Sequence, residues 1–186
     1  MSLTLSTVET GVRHIIGDNS ITGTDIFTYT SSNVFTLTES NVNSVVRTYL
    51  NNVEMGDSEL SYDSTTNKVT ITLGLSSGDT VEIEYTYYPN YSSTEIQNYI
   101  QAALTHISIC NYKTWVVENF TIYPEPSDSE ENLIAMIAAL LIKPDNKSYR
   151  LPDISVMVPK DLPLHDKIRK TISIFKRNSH GIFFIA

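Results

Sequence analysis

Val81-Glu82-Ile83-Glu84-Tyr85-Thr86-Tyr87 is the stretch on which the fold turns. Apolar and polar residues alternate along it with a period of two, which sends one set to each face of a strand. A helix would space its apolar residues three and four apart, so this segment reads as an antiparallel strand with one dry and one wet face. Upstream, Val69, Ile71 and Leu73 alternate with Lys68, Thr70 and Thr72 in the same way. Further strands are expected at Ile26–Thr30, Val34–Thr38 and Val45–Leu50. Turn chemistry separates them. Asn51-Asn52 suits a tight hairpin because asparagine tolerates positive φ, Asp63 to Asn67 forms a second turn, and Gly78-Asp79 closes a third. About six short strands within about 65 residues predict a compact antiparallel β-sandwich or open barrel over residues 25–91.

On both sides of this module the period becomes helical. Val8, Val12, Ile15 and Ile16 make one stripe from Ser6 onward, and Gly17 ends it, since glycine enters the left-handed region without a Cβ clash. Downstream, Ile96, Ile100, Ala103, Leu104 and Ile107 run to about Asn111, behind a capping box expected at Thr94 and Gln97. Trp115 to Tyr123 is aromatic and β-branched and reads as extended, with Pro124 and Pro126 ending it. Asp128-Ser-Glu-Glu131 opens a second helix, where carboxylates complement the positive end of the dipole. It carries Leu133, Ile134, Ile137, Leu140 and Leu141 as the expected central core helix, and Lys143-Pro144 stops it. A loop with one strand at Ile154–Val158 follows, and Pro163 opens a last helix to about Asn178. Leu164, Ile168, Ile172 and Phe175 occupy one side of it, and Lys167, Arg169, Lys170, Lys176 and Arg177 much of the rest. The expected class is α+β. A helical-bundle core is built from residues 1–24 and 92–143, with the β module 25–91 inserted and an extended basic and apolar C-terminal arm over 144–186.

Charge is distributed unevenly. Residues 1–142 hold 4 of the 13 Lys+Arg and 17 of the 21 Asp+Glu, a net −13, whereas residues 143–186 carry a net +5. A basic tail on an acidic body is a hint of self-association between copies through complementary fields, and a solvated basic helix with no partner is the commoner reading of such a charge pattern. The terminal run Gly181-Ile-Phe-Phe-Ile-Ala186 would invite aggregation if left free, so it needs a host, at home or as a strand added to a partner's sheet. A single cysteine, Cys110, excludes an intrachain disulfide framework and fits a reducing compartment. The first residues lack the basic and apolar regions of a signal peptide. The longest apolar run, Leu133 to Ile142, falls short of the roughly 20 residues that span a bilayer. A cytoplasmic setting without a membrane is therefore expected, and the glycosylation-like triplets at Asn90, Asn119 and Asn146 read as chance.

Sites for chemistry are scarce. His106 and Cys110, four apart on a helix, could pair as imidazole and thiolate, but Ala103, Ile107 and Ile109 around them mark a packing face. The acidic run Glu125 to Glu131 lacks the spaced ligands and central glycine of a calcium loop. Histidines 14, 106, 165 and 180 have no metal-ligand spacing, and no phosphate loop, nucleophile elbow or dinucleotide fingerprint occurs. Several of the eleven tyrosines cluster at Tyr85–Tyr91 and could stack sugars or bases, although on a strand with glutamates they suit a core edge or protein interface. No catalytic, cofactor or metal site is expected, and the chain is read as not an enzyme.

The order of helix, β insertion, capped helix, core helix and C-terminal arm resembles the head–tail connector, or adaptor, proteins of tailed bacteriophages. Arg13-His-Ile-Ile-Gly-Asp18 carries the likeness, together with Val53-Glu54, Leu60-Ser-Tyr62, Lys68-Val-Thr-Ile71, Gly78-Asp-Thr-Val-Glu-Ile-Glu-Tyr85 and Thr94-Glu-Ile96. The resemblance covers about the first 110 residues. It implies a virion structural protein, assembled in the host cytoplasm and resident in the neck, that forms a ring of about twelve copies between portal and tail. Its implied partners are further copies of itself, the portal protein and a tail or neck protein. DNA would pass through the channel without specific binding, and no cofactor is implied. The positions matching the family's arm are Lys167, Arg169, Lys170, Phe175, Lys176 and Arg177, with Ile182, Phe183, Phe184 and Ile185 beyond them. Two other readings stand beside it: a carbohydrate- or protein-binding β module attached to a tail or fibre, and a small hydrolase centred on His106 and Cys110.

Overall fold

A computed structural model describes residues 3–145, 148–150, 155–157 and 162–179. The protein is mixed α+β, with helices and antiparallel sheets in two compact units: Met1–Asp18 with Ser93–Ala186, and Asn19–Ser92.

The Asn19–Ser92 unit contains β1 (Ile21–Thr28), β2 (Val34–Thr36), β3 (Val42–Leu50), β4 (Val53–Glu54), β5 (Leu60–Asp63), β6 (Lys68–Ile71) and β7 (Thr80–Tyr87). They form two antiparallel sheets, ordered β1-β7-β3-β4 and β2-β6-β5. Val81, Ile83 and Tyr85 of β7 share one buried cluster with Val69 and Ile71 of β6, Phe35 of β2, Leu37 and Met55. One apolar core thus serves both sheets, and no closed barrel forms among the described residues. The expected turns use positive φ, at Asn51 (49°), Asn52 (66°), Asn67 (57°) and Gly78 (96°).

Two strands are longer than their apolar patterns indicate. β1 begins at Ile21 rather than Ile26, because Gly23 interrupts the pattern while making a specific contact. It pairs with Tyr85, and a Cβ at Gly23 would lie 2.9 Å from Tyr85 Cε2. The Tyr85 hydroxyl donates to Asp25 Oδ2 (3.2 Å), and Asp25 Oδ2 accepts from the Thr38 amide (2.7 Å), which ties β1 to the segment after β2. β3 begins at Val42 rather than Val45, because register shifts at Val42/Ser44 and Val45/Arg47 break its alternation.

The other unit contains α1 (Leu5–Ile16), α2 (Ser93–Ile109), β8 (Val116–Glu118), β9 (Thr121–Tyr123), α3 (Asp128–Ile142), β10 (Ser148–Arg150), β11 (Ser155–Met157) and α4 (Leu164–Ser179). Two of the helices end in the same way. Gly17 (φ 69°) follows α1, with Gly17 N–H on His14 O and Asp18 N–H on Arg13 O. Asn111 (φ 53°) follows α2, with Asn111 N–H on Ser108 O and Tyr112 N–H on Ile107 O. Both are Schellman caps, which satisfy carbonyls that the helix end would leave unpaired. α2 starts before Thr94, so Thr94 lies within the helix instead of capping it. α3 is buried without interruption from Leu133 to Leu140 and packs against α1, α2 and α4, as expected of a helix apolar on every side.

The extended segment at Trp115–Tyr123 is a hairpin, β8 with β9, turning through Asn119 (φ 47°) and Phe120 (φ 61°). The strand expected at Ile154–Val158 is described at β11, paired with β10. The rest of that loop, including 151–154 and 158–161, lies outside the described residues.

Candidate functional site

The residues singled out for partner binding fall into three groups. Arg169 and Lys170 are exposed on α4. Lys167, Phe175 and Lys176 are engaged within their own unit. Lys167 is 2% exposed, and its Nζ donates to the carbonyl of Pro144. Phe175 joins Ile168 and Ile172 in the buried face of α4. Lys176 Nζ donates to the carbonyls of Cys110 (3.0 Å) and Asn111 (3.1 Å), capping the C-terminal end of α2, and stands 6.0 Å from the Tyr112 ring centroid. For Arg177 only the helical backbone is described, and Ile182, Phe183, Phe184 and Ile185 lie outside the described residues.

α2 ends at Ile109, so Cys110 sits in the cap, its N–H on His106 O at 3.1 Å, and both side chains are half-buried. The acidic run before α3 is a cap. Glu130 Oε2 accepts from the Ser127 amide (2.9 Å) and hydroxyl (3.1 Å), while Glu130 also pairs with Lys113 Nζ at 2.8 Å. Burial pushes the Glu130 carboxyl up, but hydrogen bonds from Lys113 and Ser127 outweigh it, leaving the group below its ordinary range. Among the described residues no group of three or more His, Cys, Asp or Glu could hold a metal ion, and no helix is long and apolar enough to cross a membrane.

Tyr85 and Tyr87, candidates for stacking a ligand, pack on one another with ring centroids 6.0 Å apart and belong to the β-module core. Burial raises the Tyr85 hydroxyl to about 12. These rings are therefore part of what holds the sheets together.

Sequence reasoning missed two features. The first is a buried ion cluster. Arg13 donates through Nε (3.0 Å) and Nη2 (2.8 Å) to Glu9 Oε1 and through Nη1 to Asp18 Oδ2, and Gln97 Nε2 donates to Glu9 Oε2 at 3.2 Å. Arg13 is 4% exposed and Asp18 1%. The cluster locks α1, α2 and the last residue of the chain's first passage through this unit.

The second is an exposed apolar surface on the β8–β9 hairpin. Ile122 is buried beneath it, while Val116 and Tyr123, paired across the strands, face outward with Glu118. Phe120 at the tip is 70% exposed. The backbone beneath is fixed, since Leu5 N–H donates to Phe120 O (2.9 Å) and Ile122 N–H to Leu3 O (3.0 Å). In the same unit Ile109 is 66% exposed at the end of α2, beside a groove of about 300 Å³ lined by Cys110, Arg169, Ile172 and Lys176. A solvent-exposed phenylalanine in the left-handed region is the signal that sequence alone does not carry, because the conformation depends on the hairpin register.

The sequence matches no protein-family model and no curated protein.

Proposed function

We propose that this chain is a non-enzymatic structural protein that assembles into a closed ring, as the head–tail adaptor of a tailed bacteriophage. The observation that carries the reading is the division of the chain. An uninterrupted β module, Asn19–Ser92, departs from and returns to a helical unit between α1 and α2. That is the order on which the resemblance to adaptors rests. The finer architecture belongs to the same proposal: a helical bundle around α3, a sandwich-like module and a C-terminal arm.

Charge supports it as well. Arg169 and Lys170 are exposed on a helix in the net +5 segment of a chain whose first 142 residues sum to −13, so a second copy offers the complementary field. In such a ring a patch on one copy meets a different patch on the next, and portal and tail proteins dock at its two ends. The tyrosine-based glycan reading loses Tyr85 and Tyr87 to the module core.

The test is the mass of the purified full chain by light scattering, with electron microscopy of any large species. Closed rings of about twelve copies are expected. A monomer at every concentration, with or without portal protein, would overturn the proposal.

A further inference from the structure

We infer that the tip of the β8–β9 hairpin is the knob of a self-association contact, seated in the α2–α4 groove of a second copy. Three observations carry it, and it rests on the ring reading above.

First, Phe120 pays twice for its position. It occupies φ 61°, where glycine or asparagine would be at ease, and it leaves a large aromatic surface in water at 70% exposure. Nothing within the hairpin requires a ring there, because the turn is fixed by backbone hydrogen bonds to Leu3 and Leu5. Second, the unit holds a matching receptor. The groove of about 300 Å³ has Ile109, 66% exposed, on its rim and Asn111, Arg169, Ser173 and Lys176 as polar walls, while Ile172 is 2% exposed. Phe120 and Ile109 would cover one another on docking, each supplying the apolar partner the other lacks. Third, the charges match. Glu118 is exposed beside the knob, facing the same way as Val116 and Tyr123, and Arg169 is exposed on the groove wall. A docked hairpin would bring carboxylate to guanidinium, and the guanidinium could also lie against the phenylalanine ring.

The occupant is a second copy of this chain, since the exposed Glu118 beside the knob and the exposed Arg169 on the groove carry complementary charge within one sequence. Because knob and groove are different surfaces, the contact is head-to-tail. It propagates around a ring if the rotation closes and along a filament if it does not.

The experiment compares full-length wild type with Phe120→Gly, reading thermal melting of the dilute monomer and, separately, assembly by light scattering. Glycine is comfortable at φ 61°, so the melting temperature should stay level or rise while association weakens about 30-fold, as for loss of an interface hot spot. A purely structural phenylalanine would give the opposite pair, a lower melting temperature with assembly intact. The second arm is a charge exchange. Glu118→Arg and Arg169→Glu should each impair assembly, and the double variant should recover it. Rings from Phe120→Gly indistinguishable from wild type, or a double variant no better than its parents, would overturn this contact while leaving the ring itself standing. A wild-type chain that never associates would overturn both.

Discussion

At Arg13 a guanidinium is held out of water between Glu9 and Asp18. Such a cluster need not stabilise the fold relative to an apolar filling, but removing one member strands the others. Replacing Arg13 by methionine leaves two buried carboxylates without their cation, and we expect a loss of about 3–5 kcal/mol in denaturant unfolding. The residues were legible as a helix end and not as a cluster. Arg13 and Asp18 are five apart, and they meet because the left-handed turn at Gly17 folds the chain back. Tyr85 makes a pH prediction at the same scale. Its hydroxyl is raised by burial from 10.0 to about 12, so the folded state keeps a proton that the unfolded chain gives up. The stability it contributes is complete below pH 10.0 and is lost as pH rises through about 12. Unfolding free energy and tyrosinate absorbance followed together over that range should show the β module loosening as Tyr85 ionises.

Among the elements, α3 depends most clearly on its first turn. Glu130 closes a capping box with Ser127 and draws in Lys113, which also stands 5.1 Å from the Trp115 ring centroid. Because its carboxyl lies below the ordinary 4.5, the stability it supplies is present above that pH and is lost as pH falls below it. Glu130→Gln should cost about 1 kcal/mol at neutral pH, and the difference from wild type should shrink in acid. α4 shows what helical spacing could and could not tell. Lys167, expected off the apolar side, lies four residues before the buried Thr171 and shares its inward stripe. That its ammonium would find the Pro144 carbonyl was not legible in the sequence, because that partner arrives through a non-local fold. The β8–β9 hairpin was legible only as extended chain. Asn119 and Phe120 turn the chain with positive φ, and Phe120 is a residue that turn preferences argue against.

For the whole molecule, the separation of charge makes a prediction of its own. If the basic segment of one copy meets the acidic body of the next, assembly should weaken as salt shortens the screening length from about 8 Å at physiological ionic strength to about 3 Å at 1 M. Light scattering across a salt series checks this, and an unchanged mass at 1 M would assign the contact to apolar burial instead. The sequence by itself determined the strand or helical character of the longest elements. Periods of two and of 3.6 are local consequences of where side chains leave the backbone, and Val81–Tyr87 and Ile96–Ile107 write them plainly. It also determined the charge imbalance, which is additive along the chain. Only the tertiary structure decided which polar groups are spent internally and which face outward. Arg13, Lys167 and Lys176 are consumed by contacts with chain distant in sequence or folded back by a turn, while Phe120 is left in water on a backbone fixed from α1's first turn. Those outcomes depend on distances between residues far apart along the chain, and no local period encodes them.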